Sequence, residues 1–177
     1  ITFTTADLGR HLKNGEMFFK EFKIPETNLY SYTYPDYPFL NHHWGSGVIF
    51  YIIYQISGFV GLSILFLVLS LLTLFLLFRI AWKSAGLALA VAVATLAIPV
   101  LAARTEIRPE VFSYFLAALF FWILWKYQKD ELPAKYLWSL PVLMLVWVNI
   151  HIYFFFGGIL LILFLTENIF NYYVYKD

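Results

Sequence analysis

Residues 59–78 form a run without a single charged side chain. About twenty such residues are what an α-helix needs to cross the hydrocarbon of a bilayer. In hydrocarbon each backbone N–H and C=O must be satisfied within its own segment, so a helix is the form this run takes. Further apolar runs follow at residues 85–103, 111–127, 136–148 and 152–170, and a shorter one at 44–57 reads as the start of a span or as an interfacial helix. The chain is 62% hydrophobic and 13% charged, where a soluble domain carries about a quarter charged residues. Its charges are too few to cover a water-exposed surface. Aromatic residues make up 21%, in keeping with Trp and Tyr gathering at the two membrane interfaces. The expected fold class is an all-α integral membrane protein, a multi-pass bundle of transmembrane helices spanning residues 44–177.

Residues 1–43 differ from the rest and are expected to form a long first loop with short juxtamembrane helices. Leu8, Leu12, Met17 and Phe18 give the segment from Asp7 onward an apolar face suited to the membrane surface. Ile24-Pro25-Glu26-Thr27-Asn28 and Pro35-Asp36-Tyr37-Pro38 read as turns or extended links. Connections this long are functional or disordered, and the density of Tyr, Phe and Trp argues against disorder. The opening on Ile1 without a signal peptide reads as a fragment lacking an upstream anchor. The end has no closing feature.

Counting crossings sorts the loops. With residues 1–43 on one side, residues 79–84 and 126–135 fall on the other and carry Arg79, Lys83, Lys126, Lys129 and Lys135 against Asp130 and Glu131. The positive-inside rule makes that second side cytoplasmic. The first side, extracytoplasmic, then receives His11, His42, His43 and His151 together with Asp7, Arg104, Glu106, Arg108 and Asn149. A polar site at the extracytoplasmic surface is the economical reading. The net charge of +1 gives no electrostatic reason to expect nucleic acid. The absence of cysteine excludes disulfides and thiolate chemistry.

Each candidate carries two readings. Asp7 is a general base or a helix N-cap. Arg104 and Arg108 bind phosphate oxygens in paired hydrogen bonds, or snorkel and pair with Glu106 and Glu110. Asn149 and His151 interrupt an apolar run, which is costly at membrane depth and cheap at the headgroups. His42 and His43, being adjacent, point apart and do not readily share one metal ion. No HExxH, phosphate-binding glycine loop or nucleophile elbow is present.

Asp7-Leu8-Gly9-Arg10-His11-Leu12, Gly15-Glu16, Ile24-Pro25-Glu26-Thr27-Asn28, Ser31-Tyr32-Thr33 and Asn41-His42-His43-Trp44 together resemble the first extracytoplasmic loop of GT-C superfamily membrane glycosyltransferases. The nearest members are similar to dolichyl-phosphate-mannose protein mannosyltransferases of bacteria and archaea. Arg108-Pro109-Glu110-Val111-Phe112-Ser113 and Trp147-Val148-Asn149-Ile150-His151 also look like recurrent features of that group. The resemblance implies a polyprenyl-phosphate-linked sugar as donor, transfer at the extracytoplasmic face of a prokaryotic cell membrane, and catalysis by an acid of the first loop, matched here by Asp7. Arg104 and Arg108 would then meet the donor phosphate. His11, His43, His151 and Asn149 would position sugar or phosphate. Tyr32, Tyr34 and Trp44 would contact acceptor or lipid. Many members pair two acids in that loop, and Asp7 has no acidic neighbour. Metal dependence varies in the superfamily, so no metal ligand is assigned and a divalent ion is left open. A transporter would cluster its ionisable residues near the midplane and show internal repeats. A non-catalytic scaffold would tolerate loss of Asp7 and Arg108.

Overall fold

The structure, a computed structural model, describes residues 6–174. These are helical apart from loops and one isolated bridge between Thr27 and Pro38. Six α-helices follow in order: α1 (Ala6–Glu21), α2 (Trp44–Ala85), α3 (Leu87–Ala102), α4 (Glu110–Gln128), α5 (Ser139–Ile150) and α6 (Phe155–Val174). Two 3-10 turns, Ala134–Trp138 and Ile152–Phe154, lead into α5 and α6.

Among the described residues, three helical stretches are long and apolar enough to cross a membrane: Trp44–Ala85, Glu110–Gln128 and Ile152–Val174. Two of the expected spans fall short. α3 has 16 residues and α5 has 12, lengths of about 24 and 18 Å at helical rise. Gly86, with φ 84°, separates α3 from α2, and the extended backbone of His151 ends α5.

The runs at 44–57 and 59–78 belong to one helical stretch, α2, kinked at Gly58 (φ 59°, ψ −150°). Only glycine adopts that backbone at low cost. At 42 residues, a straight α2 would reach about 63 Å, twice a bilayer's hydrocarbon thickness. The kink therefore divides α2 into a short arm, which carries α1, and a long arm of span length.

α4 is the centre of the bundle. Half of its most apolar window is buried, against 17% for α2 and 11% for the last span. One of its ends packs with Leu8, Phe50, Leu62, Ile107 and Ile150 through Val111 and Phe112. Its other end packs with Ile80, Leu140, Trp147 and Phe164 through Leu116, Phe120, Ile123, Leu124 and Trp125. The outer faces of α2, α3 and α6 display Val, Leu, Ile and Phe side chains outward, as lipid-facing helices do.

Side-chain contacts fix which loops share an end. Lys83 Nζ lies 2.6 Å from Glu131 Oε2, joining the α2–α3 turn to the α4–α5 loop. At the opposite end, Arg108 Nη1 lies 3.7 Å from Asp7 Oδ2 and the Trp44 indole N–H donates to Asn149 Oδ1 at 2.9 Å. These bring α1, the start of α2, the α3–α4 loop and the α5–α6 joint together.

Candidate functional site

The site is assembled at the α1 end. α1 carries Asp7, Arg10 and His11. It is held in place by packing: Leu8 is buried in the cluster around Phe50 and Ile107, and α1 crosses the short arm of α2 at Gly15 and Gly47. A Cβ on Gly47 would stand 2.8 Å from the His11 carbonyl oxygen, and one on Gly15 would overlap Gly47 O. Burying a leucine contributes about 1.5–3 kcal/mol. The ion pair from α1 to Arg108, with both side chains more than a third exposed, contributes about 0–1 kcal/mol. Packing places α1, and Asp7 is presented by it.

Asp7 Oδ1 faces Arg10 Nη2 at 3.1 Å, while its Oδ2 faces Arg108. Arg108 also meets Glu106, with Nε 2.5 Å from Oε2. Two carboxylates from distant segments therefore share one guanidinium. Glu106 lies 99 positions from Asp7 in the sequence. Arg104 stands apart from Asp7. It faces Glu110 at 3.8 Å and is largely exposed. Arg104, Glu106, Arg108, Glu110 and Tyr114 line a cavity of about 240 Å³ floored by Phe66 and Val111. Both arginines thus meet the carboxylates Glu106 and Glu110 while also facing a cavity.

Beside this lies a row of imidazoles. The His11 and His43 ring centroids are 5.6 Å apart, and those of His43 and His151 are 5.0 Å apart and stacked. His42 lies 4.0 Å from His43 and hydrogen-bonds through Nδ1 to the Leu40 carbonyl. Nδ1 of His11 and of His43 is buried without a hydrogen-bond partner among the described residues. Burial first, then the charge of His43 and Arg10, holds His11 at about 3, below the usual 6.5. Burial, then His42 and His151, holds His43 at about 4. Burial, then His42, holds His151 at about 4. His11, His43 and His151 are neutral near pH 7. Among the described residues, no group of three or more His, Asp or Glu side chains is disposed to hold a metal ion.

The sign of the pH dependence follows. In the released or unfolded chain these imidazoles take protons near 6.5, whereas in the folded chain they resist until about 3–4. Their contribution to stability is full above pH 6.5 and is lost as pH falls from there toward 4. The protection of the α1 amides, taken relative to their intrinsic exchange rate at each pH, is expected to fall across that window. Protection unchanged down to pH 4.5 would contradict the burial of the row.

His151 is fixed by a relay that sequence reasoning missed. The Trp147 indole N–H, which can only donate, gives its hydrogen to Ser113 Oγ at 2.8 Å. The Tyr153 backbone N–H donates to His151 Nδ1 at 3.5 Å, which makes that nitrogen an acceptor, so Ser113 donates its own hydrogen to it at 2.9 Å. The neutral imidazole then carries its proton on Nε2. All three residues are buried. Ser113→Ala strands two buried polar atoms and is expected to cost about 1–3 kcal/mol for each, read as a lowered unfolding temperature. Combining it with Trp147→Phe should recover part of that loss. Among the sequence motifs, these bonds tie the one ending at Ser113 to the one from Trp147 to His151.

Asn149 accepts from Trp44 and donates through Nδ2 to the Leu145 carbonyl at 2.7 Å. A Cβ on Gly45 would stand 2.8 Å from the Asn149 carbonyl oxygen, so α2 begins in close contact with the end of α5. Asp7, His11, His43, Trp44, Arg108, Asn149 and His151 therefore share one region. Tyr32 and Tyr34 do not join it. They are exposed on the α1–α2 loop, Tyr32 fully so. That loop is pinned to α1 by Tyr30, whose hydroxyl donates to Asn14 Oδ1 at 2.6 Å. No family model, curated protein or solved structure matches the chain.

Proposed function

We propose that the chain is the part of a multi-pass membrane glycosyltransferase, similar to the GT-C superfamily, that carries its acid and its phosphate-binding cations. It would transfer a sugar from a polyprenyl-phosphate donor to an acceptor hydroxyl at the extracytoplasmic face. The observation that carries this reading is the approach of Asp7 to Arg108 beside the cavity lined by Arg104 and Arg108. It puts a carboxylate next to paired guanidinium groups at one end of span-length helices. A lipid-linked sugar phosphate needs that combination.

In this reading Asp7 accepts the proton of the acceptor hydroxyl as its oxygen bonds to the sugar's anomeric carbon. The bond from that carbon to the phosphate oxygen breaks, and polyprenyl phosphate leaves with the electron pair. Arg104 and Arg108 take up the charge on the departing phosphate, exchanging Glu110 and Glu106 for it. His151, held with its proton on Nε2, and the neutral His11 and His43 position sugar or phosphate. Asn149 holds Trp44 against the end of α5. Tyr32 and Tyr34 serve the acceptor or the lipid surface.

The test is transfer from a labelled polyprenyl-phosphate sugar by the protein in sealed vesicles. Label appearing in acceptor, with polyprenyl phosphate released in equal amount, is the expected result. Flux of substrate across the vesicle without transfer would replace this reading with a transporter. Neither flux nor transfer with any donor sugar would leave a scaffold.

A further inference from the structure

The end opposite the imidazole row holds a second polar site. Where the last turns of α2 and α4 meet, a cavity of about 280 Å³ is lined by Arg79, Lys83 and Lys126 over a wall of Ile80, Trp122 and Trp125. Its only carboxylate neighbour among the described residues is Glu131, 2.6 Å from Lys83 Nζ and 3.6 Å from Lys126 Nζ. Three cations thus face one anion.

Arg79 has no carboxylate at all among the described residues; its guanidinium lies 5.9 Å from the Trp82 ring centroid. Lys126 lies 5.0 Å from the Trp122 ring centroid. The indoles mark the headgroup level, where Trp collects. An unbalanced guanidinium at the edge of hydrocarbon calls for an anion available at that depth.

From this geometry we infer that the cavity binds the phosphodiester of an anionic phospholipid. The guanidinium of Arg79 donates to the phosphate as a fork. Lys83 and Lys126 supply the remaining positive charge, and the Ile80, Trp122 and Trp125 wall receives the first acyl carbons. Basic pockets between helices at a membrane surface are suited to such headgroups. The site lies at the far end of the spans from Asp7 and stands whether or not sugar transfer is the activity. It rests only on the spans lying in a bilayer.

The experiment measures retention of labelled phosphatidylglycerol and phosphatidylcholine by the intact protein during detergent exchange. Phosphatidylglycerol is expected to be retained about 25-fold over phosphatidylcholine, given roughly a fivefold gain per cation near a headgroup and an excess of two cations over Glu131. Arg79→Gln removes no internal ion pair and should lower phosphatidylglycerol retention about fivefold, with phosphatidylcholine unchanged. Should Arg79→Gln fail to fold by circular dichroism, Lys126→Gln carries the same expectation. Millimolar inorganic phosphate should leave the lipid in place. Equal retention of the two lipids, no effect of the folded variant, or displacement by inorganic phosphate would each overturn the assignment, the last in favour of a soluble anion.

Discussion

Asp7→Asn is expected to lower sugar transfer by about 10²–10⁴-fold, the usual worth of a positioned general base. Asparagine keeps the shape and one acceptor oxygen but cannot take the proton. The fold should survive, because α1 is held by Leu8 and by the Gly15–Gly47 crossing, and the lost ion pairs with Arg10 and Arg108 are partly exposed. Circular dichroism and α1 hydrogen exchange should therefore match the parent protein while single-turnover transfer collapses. The loss should lie in the chemical step, with donor affinity little changed. Transfer at the parent rate would remove Asp7 from the mechanism. Arg108→Ala separates the roles: it should weaken donor binding as well as turnover, since on the proposed reading it takes away a phosphate ligand, and it frees Asp7 and Glu106 together.

Gly47→Leu is expected to undo the whole site without replacing any polar side chain in it. The new side chain would begin 2.8 Å from the His11 carbonyl oxygen, a backbone atom that moves only if α1 moves. Overpacking of this kind costs about 1–3 kcal/mol or more, comparable to what Leu8 contributes by burial. α1 should lift from α2, taking Asp7 away from Arg108 and His11 away from His43. Fast amide exchange throughout α1, together with lost transfer, is the expected pair of observations. Gly9→Ala is the matched control. Nothing lies within 4 Å of a Cβ there, and the gain in helix propensity is about 0.8–1 kcal/mol, so α1 should become more protected. Slow exchange in Gly47→Leu would show that the crossing is looser than these distances imply.

Apolar runs were legible in the sequence because hydrophobicity is a property of single residues, and helix follows from it by backbone hydrogen bonding. Their division was not. Nothing in the composition of residues 44–78 distinguishes one kinked helix from two, since the distinction lies in the backbone angles of Gly58. α5 was read as a span because its apolar residues begin at Tyr136, yet the 3-10 turn before Ser139 and the extended His151 after Ile150 leave it twelve residues long.

Asn149 and His151 drew notice as polar breaks in an apolar run. Ser113 and Trp147 stand in the motifs but carry no role of their own, because a serine within a helix reads as ordinary and a tryptophan reads as an interfacial anchor. Their meaning lies in a contact 34 positions apart. Glu106 reads in the sequence as an ion-pair partner for the neighbouring arginines, but only the fold brings Asp7 to the same guanidinium. Tyr32 and Tyr34 were prominent for being aromatic, and they lie outside the cluster.

α4 ties the two ends of the molecule to each other. Its first turn supports the cavity beside Arg108, and its last presents Lys126 to the opposite cavity. Its 19 residues measure about 28 Å, close to the hydrocarbon thickness of a bilayer. The helix therefore works as a ruler. One inserted residue would turn its far half by about 100° and push it about 1.5 Å outward, so that Ser113 and Trp125 could no longer both face inward. Length changes that the outward faces of α3 and α6 would absorb by sliding in lipid are closed to α4. A bilayer several ångströms thicker or thinner would reach the two polar ends through this one rod.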